Sequence, residues 1–190
     1  MGKDRASQGI LTEIASHDAE TGALRVVIET TKGSRNKYNY IPEFGCLELA
    51  AVLPEGMSFP YDFGFVPSTL GEDGDPLDVL VLMDMPVVPC CLIRARLIGA
   101  IEAEQRENSG DKGKWVRNDR LIAVAEHART HADVHSLSDL RPGLVDEIAE
   151  FFAQYNRLRQ REFRALGAAE PERARALVEQ GRNAYRKKTA

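Results

Sequence analysis

Short apolar runs separated by turn residues dominate the first two thirds of the chain, and they predict strands. Residues 24–30 (LRVVIET) are rich in β-branched side chains, and residues 37–41 alternate with aromatic ones. The run at 79–83 is wholly apolar, which is typical of a strand buried on both faces. The predicted strands are 24–30, 37–41, 46–53, 79–83, 92–101 and 121–125.

The segments between these runs are rich in glycine, proline and polar residues, and they predict turns and loops. Residues 31–36 (TKGSRN) and 42–45 (PEFG) are turn-like. The stretch 56–68 combines proline, glycine and aromatic residues in a way that is unlike a helix, and we assign no strand to it. Residues 104–118 are polar and contain glycine, so we expect a long hairpin loop there.

In the last third of the chain the apolar period changes from that of strands to that of helices. Apolar residues at spacings of three and four mark one face of a helix: Leu144, Ile148, Phe151, Phe152, Tyr155 and Leu158. Pro142 suits the first turn of this helix, and Asp146 and Glu147 suit the positive end of its dipole. A second helix is predicted over about 171–185.

This order of strands followed by helices predicts a mainly β (α+β) fold, in which helices pack on a compact β unit. With 190 residues the chain is long enough to bury a substantial core, and we expect one domain over 1–190. Residues 1–20 are interpreted as an irregular N-terminal extension of that domain.

Composition and charge exclude several classes of protein. A formal net charge of −4 and 43% hydrophobic residues argue against disorder and against a whole-surface affinity for nucleic acid or anionic membranes. No apolar run approaches the ~18 residues of a membrane helix, and the N-terminus lacks the apolar core of a secretory signal. Cys46, Cys90 and Cys91 fit neither a disulfide framework nor a spaced metal motif. We therefore expect a cytoplasmic protein with buried free thiols, in which Cys90 and Cys91 are a core pair.

Three aspartates, Asp73, Asp75 and Asp78, crowd into the segment GEDGDPLDVLVL at the start of a buried strand. Gly74 and Pro76 supply a bend that would bring the three side chains to one place. Neighbouring carboxylates repel one another, so at neutral pH they need a cation or raised pKa values. Their hard oxygen atoms suit Mg²⁺, Mn²⁺ or Ca²⁺. The alternative is a solvated acidic turn without a ligand.

Two other acidic motifs do not fit these letters. An EF-hand loop that began at Asp73 would place Leu77 at its fifth position and Asp78 at its sixth, which is normally glycine. A phosphotransferase DxD nucleophile would follow an apolar strand, but residues 68–72 read STLGE. We reject both motifs.

The stretch GFVPSTLGEDGDPLDVLVL, residues 64–82, closely resembles the signature of the soluble family I inorganic pyrophosphatases. LIAVA at 121–125 and FFAQY at 151–155 follow in the family's order, and the resemblance extends from about Val26 to the end of the chain. It implies a five-stranded, OB-like β-barrel with two C-terminal helices packed outside. It also implies Mg²⁺-dependent hydrolysis of pyrophosphate to two phosphates, with Mn²⁺ as the second candidate metal, and a homo-oligomer that is usually a hexamer in bacteria.

The resemblance assigns roles by position. Asp73 and Asp78 resemble metal ligands, with Asp78 bridging two cations. Asp75 resembles the carboxylate that takes a proton from the attacking water. Lys37, in NKY, resembles a phosphate-binding lysine, and Tyr155 resembles the tyrosine that contacts the leaving phosphate.

Three more residues receive roles in the same way. Glu29, in VIET, resembles an acidic residue of the metal-water shell. Where the family has Asp-x-Lys before the strand at 121–125, this chain has Asn118, Asp119 and Arg120. Arg120 then stands for a substrate-binding lysine, and a slip of one residue would make Asp119 the metal ligand in place of Asn118. Such metal sites lower the pKa of a bridging water and clamp an in-line displacement.

Departures from the family pattern cluster in the same region: Asn39, Ala51, Phe63, Asn118 and Asn156. Asn39 replaces a glutamate, Ala51 a phosphate-binding arginine and Asn156 a lysine, while Phe63 lacks a tyrosine's hydroxyl group. The loop at 104–117 is longer than usual, and Glu107 and Asp111 are alternative replacements for its acidic residues.

These departures leave three hypotheses open. A divergent pyrophosphatase would keep the three aspartates and Lys37, with Arg157 or Arg159 compensating for the lysine that is missing at position 156. A hydrolase of another phosphoanhydride would use the same chemistry in a less charged pocket. A non-catalytic relative would bind phosphate without turnover, because the loss of one preorganised donor commonly costs ~10²–10³ in rate.

Three other features have structural interpretations. His127, His131 and His135 recur every four residues, a spacing that binds metal on a helix, but their segment lacks a helical face and predicts surface residues. Trp115 is interpreted as a packing or interface residue. The basic run 157–164 is interpreted as the solvated end of a helix, with phosphate binding as the alternative.

Overall fold

The computed structural model describes residues 10–107 and 113–190. In chain order, its elements are α1 (Ile10–Glu13), β1 (Leu24–Thr30), β2 (Asn36–Ile41), β3 (Cys46–Val52), β4 (Asp62–Val66), β5 (Leu77–Leu82), β6 (Leu92–Glu107), β7 (Val116–Arg117), β8 (Arg120–Ala125), a 3₁₀ turn (Leu137–Asp139), α2 (Leu144–Leu158), β9 (Arg161–Ala169) and α3 (Pro171–Thr189).

Five strands close into a barrel. The order is β1-β4-β5-β8-β6, and β6 pairs back to β1. Only the β5–β8 pair of this ring is parallel, so these two strands begin at the same end of the barrel. The five-stranded, OB-like barrel that the family resemblance implied is therefore confirmed.

The core lies inside the barrel and beneath two helices. Val79, Leu80 and Val81 of β5 are fully buried, as their continuous apolar run predicted. Helix α2 buries most of the predicted stripe, with Ile148 and Phe152 each 1% exposed, whereas Leu158 at its end is 53% exposed. Helix α3 buries a second apolar face around Val178. The two C-terminal helices on the outside of the barrel are confirmed as well.

Strand β4 is an element that the sequence pattern missed, since the stretch 56–68 received no strand. It pairs with β1 on one side and with β5 on the other. Gly64 allows this because a Cβ atom there would lie 1.9 Å from the carbonyl oxygen of Val27. The glycine that makes the stretch look irregular is what lets two backbones approach.

Two predictions for the second half of the chain are wrong. Strand β6 continues to Glu107 instead of giving way to a loop at residue 104, and the basic run 157–164 is not a helix end throughout. Helix α2 stops at Leu158, Gln160 adopts a φ of 57°, and β9 then pairs with the far half of β6. The physical reason is long-range pairing, which polar and charged letters do not signal.

The N-terminal segment is docked where the structure describes it. Ser68 donates hydrogen bonds to the carbonyl oxygens of Thr12 (2.9 Å) and Ile14 (2.9 Å), so α1 and its flank lie against the loop that leads to the acidic turn. Of the predicted extension 1–20, the first nine residues lie outside the described residues. None of the helices described here is long and apolar enough to cross a membrane.

Candidate active site

The acidic segment forms a tight turn between β4 and β5. The backbone N–H of Gly71 donates to the carbonyl oxygen of Asp75 at 2.7 Å, and the backbone N–H of Asp75 donates to Asp73 Oδ1 at 3.3 Å. Gly74 has a φ of 94°, which favours glycine. The turn thus brings Asp73 and Asp75 together just before Asp78, the second residue of β5.

The carboxyl groups of this turn influence one another. Asp73 is exposed as a residue, yet packing around its carboxyl group and then the charge of Asp78 raise its pKa to about 6. Burial raises the pKa of Asp78 as well, although the positive charges of Arg120 and Lys37 oppose this effect. Charges that disfavour each other in this way are what a bound cation would relieve.

The aspartates are close neighbours without forming a closed ligand cage. In the part of the chain that the structure describes, no three carboxylate, imidazole or thiol groups are placed to hold a metal ion by themselves. Mg²⁺ usually keeps several water ligands and takes only one or two carboxylates, so an open arrangement of this kind fits it. Among the side chains of this turn, Asp73 and Asp78 could supply oxygen ligands to such a cation.

Arg120 is the direct partner of Asp78. Asp78 and Arg120 immediately precede Val79 and Leu121, which are register partners in the parallel β5–β8 ladder. Their side chains form an ion pair in which Arg120 Nη1 lies 2.5 Å from Asp78 Oδ2. Arg120 is only 4% exposed, and its buried Nε has no hydrogen-bond partner among the described residues.

A second buried ion pair joins β1 to the β2–β3 hairpin. Lys37 Nζ donates to Glu29 Oε2 at 3.0 Å, and the backbone N–H of Tyr40 donates to Glu29 Oε1 at 2.6 Å. Burial raises the pKa of Glu29, while Lys37 opposes this effect, and the charge of Asp78 adds to the rise. Glu29 and Lys37 therefore lie within electrostatic reach of the acidic turn.

Four aromatic rings pack together next to these charged groups, and we call Phe59, Phe63, Phe152 and Tyr155 the aromatic floor. Phe63 lies 5.7 Å from Phe59 and 5.8 Å from Phe152, and Tyr155 lies 5.8 Å from Phe59, as centroid distances. The floor was missed from the sequence, where Phe63 was noted only for its absent hydroxyl group. Its signal was the unusual density of aromatic residues in 56–68.

Each of three cations stands over one ring of the aromatic floor. Lys37 Nζ is 4.8 Å from the centre of Phe63, the guanidinium of Arg120 is 4.9 Å from Phe152, and that of Arg159 is 5.5 Å from Tyr155. Cation–π attraction at such distances contributes about 0.5–2 kcal/mol each. The aromatic floor thus carries three positive groups.

Tyr155 is the polar member of the floor. Burial raises the pKa of its hydroxyl group, which stays protonated at neutral pH, and Asp78 and Arg120 also act on it. Arg159 Nη1 donates to the Tyr155 oxygen at 2.7 Å. Of the two arginines considered as substitutes for a lysine at position 156, only Arg159 makes this contact, whereas Arg157 is exposed.

Asp119 faces the same region but is already engaged. Its Oδ1 accepts hydrogen bonds from the backbone N–H of Ala103 at 2.9 Å and from Arg117 Nη2 at 2.7 Å. A cavity of about 310 Å³ lies between the acidic turn and α3, and Asp119 lines it together with Asp73, Asp78 and Arg117. Arg117 was missed from the sequence, where it stood in a predicted loop.

The family departures have defined surroundings. Asn156 is 2% exposed and donates from Nδ2 to the carbonyl oxygen of Phe152 at 2.9 Å. Ala51 is the register partner of Lys37, and Asn39 that of Glu48. Asn118 accepts a hydrogen bond from Arg120 through its side-chain oxygen.

The residues considered for the long loop do not all reach the site. Glu107 forms an ion pair with Arg161 at 2.7 Å on the β6–β9 ribbon, and Asp111 lies outside the described residues. Trp115 packs against the guanidinium groups of Arg106 and Arg164, at 4.8 and 4.6 Å, as a packing role predicts.

The cysteine prediction is wrong, whereas two of the three histidines lie at the surface as expected. Cys46 is exposed, and Cys90 and Cys91 are partly exposed. Backbone hydrogen bonds tie both Cys90 and Cys91 to Ile28 of β1, at 2.7 and 3.0 Å, so the pair lies alongside this strand instead of in the core. His127 and His135 are exposed, in a turn-rich segment instead of on a helix.

Comparison with known proteins places this arrangement in context. The model of the inorganic pyrophosphatase family matches residues 26–186. An inorganic pyrophosphatase from Nostoc is 39% identical over 165 residues, which cover 87% of this chain and 93% of that protein. One from Thermus thermophilus is 37% identical over 141 residues, covering 74% and 76%.

Solved structures show the same similarity. The crystal structure of the Thermus thermophilus inorganic pyrophosphatase has a TM-score of 0.82 and 31% identity, covering 93% of this chain and 98% of that one. The inorganic pyrophosphatase from Helicobacter pylori has a TM-score of 0.78 and 36% identity, covering 90% and 96%.

Proposed function

The chain belongs to the inorganic pyrophosphatase family, and we propose that it hydrolyses pyrophosphate to two phosphates in a Mg²⁺-dependent reaction, with Mn²⁺ as a second usable ion. The observation that carries this proposal is the acidic turn next to a wall of cations. Arg120 forms an ion pair with Asp78 at 2.5 Å, and Lys37 and the hydroxyl of Tyr155 lie within electrostatic reach of Asp78. A small, dense anion bound through metal ions needs both kinds of group.

The acidic side would hold the metal and the attacking water. Asp73 and Asp78 would be the ligands. Asp119 would be a further ligand if its carboxylate served the metal as well as Arg117. Bound metal supplies an activated water and neutralises substrate charge. Asp75, exposed on the turn, would take the proton of that water, and Glu29 would accept hydrogen bonds from the water shell.

The cationic wall would bind the phosphates and stabilise the charge that develops on the leaving group. Lys37 and Arg120 are buried cations held by ion pairs and aromatic rings, so little reorganisation is needed when substrate arrives. The hydroxyl group of Tyr155 would donate a hydrogen bond to a phosphate oxygen. This is positioning and electrostatic stabilisation, which is most of what phosphoryl transfer asks of a protein.

The substitutions in the site weaken this wall without removing it. Ala51 and Asn156 stand where the family resemblance implies two cations. Asn39 and Asn118 are amides where it implies two carboxylates. The site therefore loses two positive and two negative charges. We propose a working enzyme with lower turnover than a pyrophosphatase that has both cations. From the family resemblance we also propose a cytoplasmic homo-oligomer, a hexamer, which sedimentation analysis would test.

Phosphate release from pyrophosphate tests the proposed activity. It should be measured with Mg²⁺ and then Mn²⁺, alongside Asp78→Asn, which keeps the shape of the residue and removes a proposed ligand. Turnover in the unchanged protein that is lost in Asp78→Asn supports the proposal. Folded protein that shows no turnover above this variant contradicts it, and activity confined to nucleotides or organic diphosphates would point to another phosphoanhydride.

A further inference from the structure

Arg159 stands at the C-terminal end of α2 with its side chain turned back over the helix. It is the residue that caps the helix, and Gln160 then reverses the chain into β9. Its Nη1 donates to the hydroxyl oxygen of Tyr155 at 2.7 Å. The negative end of the helix dipole favours a cation here, but the dipole does not explain why the guanidinium reaches Tyr155.

The hydroxyl group of Tyr155 faces the site rather than solvent. Tyr155 is 6% exposed, and its ring packs on Phe59 and Phe152, at 5.8 and 6.5 Å between centroids. Phe152 in turn carries Arg120, the partner of Asp78. Because Arg159 can only donate, Tyr155 accepts from it, and the phenolic proton is left to point at a different acceptor.

The guanidinium of Arg159 has N–H donors without a carboxylate partner among the described residues, whereas the neighbouring arginines use theirs in ion pairs. Among residues 10–107 and 113–190, the arginines nearest in the chain on β9, Arg161 and Arg164, form ion pairs with Glu107 and Glu104. In the same described set Arg159 has no carboxylate partner, and its one side-chain hydrogen bond is to Tyr155. A guanidinium carries five N–H donors, and a phosphate accepts two of them in parallel.

Asn156 cannot supply this charge. Its amide is buried and is bonded to the carbonyl oxygen of Phe152 one turn earlier in the helix. We propose that Arg159 binds a phosphate oxygen directly, together with the hydroxyl of Tyr155, and so provides at position 159 the cation that position 156 lacks. The inference rests on the proposed pyrophosphatase function and names the residue that recognises the leaving phosphate.

The experiment compares Arg159→Ala, Arg159→Lys and a matched control, Arg157→Ala. Arg157 lies in the last turn of the same helix, is exposed, and carries the same charge. With Mg²⁺, the KM for pyrophosphate and the inhibition constant of phosphate are measured for each protein. For Arg159→Ala we expect both to rise about 10- to 100-fold, the range for a lost charge-assisted hydrogen bond. Arg159→Lys should recover part of the loss, because it keeps the charge and loses the fork.

Two outcomes overturn the inference. In the first, Arg159→Ala has the same KM and phosphate inhibition as Arg157→Ala. In the second, Arg159→Ala has no effect in a Tyr155→Phe background, which would make Arg159 a positioning residue for the tyrosine. An additional loss in that background supports direct contact with phosphate. Circular dichroism and thermal unfolding of every variant separate these results from misfolding.

The same proteins distinguish this inference from the proposed function. If the unchanged protein shows no turnover, the proposed function fails, and the dissociation constant of inorganic phosphate is measured by equilibrium dialysis with Mg²⁺ instead. Weaker phosphate binding by Arg159→Ala than by Arg157→Ala then still supports the inference. Equal binding by the two variants overturns it.

Discussion

Asp78 and Arg120 meet at 2.5 Å where the parallel strands β5 and β8 begin. One is a proposed metal ligand and the other a proposed substrate cation, and their ion pair holds both side chains in place. The ion pair must be shared or released when a cation binds Asp78. Arg120 is therefore a proposed competitor of the metal and a proposed substrate-binding residue at the same time.

Replacing Arg120 by glutamine should separate these two effects. Removing its charge frees Asp78, so we expect divalent cations to bind several-fold more tightly. Turnover should fall by ~10²–10³, the usual effect of losing one preorganised donor. Titration calorimetry with Mn²⁺ and phosphate release measure the two quantities. Arg175→Gln, which removes the same charge from an exposed pair with Glu172, is the control, and unchanged or weaker metal binding in Arg120→Gln contradicts the competition.

Neutralising the acidic turn should abolish turnover without unfolding the protein. We expect Asp75→Asn and Asp78→Asn each to lower kcat by at least ~10³, since one removes the proposed base and the other a ligand of the activating metal. Asp133→Asn is the control. Asp133 is exposed and follows the opposite end of β8 from the site. Phosphate release and far-UV circular dichroism check the prediction, which fails if all three variants keep similar activity.

The Glu29–Lys37 pair allows stability and activity to be measured apart. Lys37→Met leaves a buried carboxylate without its cation, which we expect to cost about 3–5 kcal/mol. Adding Glu29→Gln removes the unpaired charge and keeps an acceptor for the N–H of Tyr40, so the double variant should regain most of that stability. Its turnover should stay low, because the phosphate-binding charge is still missing. Urea unfolding and phosphate release test both statements, and recovered activity in the double variant would contradict the role of Lys37.

Most strands of the barrel were accessible from the sequence because local pattern and fold agree there, whereas the closed barrel itself was expected from the family resemblance. The apolar run before Met83 is buried as its letters predict, and the stripe on α2 faces the core except at Leu158. Strand β9 was not accessible, since residues 161–164 (REFR) read as the end of a charged helix. What makes them a strand is their pairing with Glu104–Glu107 across the chain, and no local signal encodes that pairing.

The candidate site divides in the same way. The aspartates were named because three carboxylates in one turn carry chemistry in themselves, whereas Lys37 was named through the family resemblance. The aromatic floor was missed, because the ring of Phe63 matters only through Lys37 and Phe152, which arrive from other elements. Asp119 was named without its contacts to Ala103 and Arg117, which already occupy one of its oxygen atoms.

A buried carboxyl group away from the acidic turn should give stability a distinct pH dependence. Asp62 is 0% exposed, its Oδ2 has no partner in the described parts of the chain, and burial raises its pKa above the ordinary value of 3.8. The folded state therefore binds this proton more tightly than the unfolded state does. The stability that this provides is fully present below pH 3.8 and is lost as the pH rises through the folded-state pKa.

Asp62→Asn has no proton to lose at this position. The melting temperature of the variant minus that of the unchanged protein should therefore become more positive between pH 4 and pH 7, whatever its value at pH 4. The other carboxyl groups titrate in both proteins and cancel in the difference. Thermal unfolding in the presence of a chelator measures it. A difference that does not vary with pH would mean that the pKa of Asp62 is not raised.

Restoring a cation at position 51 should raise activity. Ala51 is the register partner of Lys37 in the β2–β3 hairpin, and directly opposed residues of an antiparallel pair project from the same face. An arginine there would stand beside Lys37, so we expect Ala51→Arg to raise kcat/KM for pyrophosphate by about 10-fold. That is less than the ~10²–10³ lost when a preorganised donor is removed, because the new side chain has no partners to hold it.

Leu49→Arg is the matched control for that gain. The register shifts by one residue between Lys37 and Tyr38, so Leu49 pairs with Tyr38 and lies on the other face of the hairpin from Ala51. Leu49 is 53% exposed, and an arginine there adds the same charge. A gain confined to Ala51→Arg would show that the hairpin delivers residue 51 to the substrate and that the missing cation limits the rate. Equal gains in both variants would instead reflect long-range attraction of an anionic substrate, which added salt suppresses.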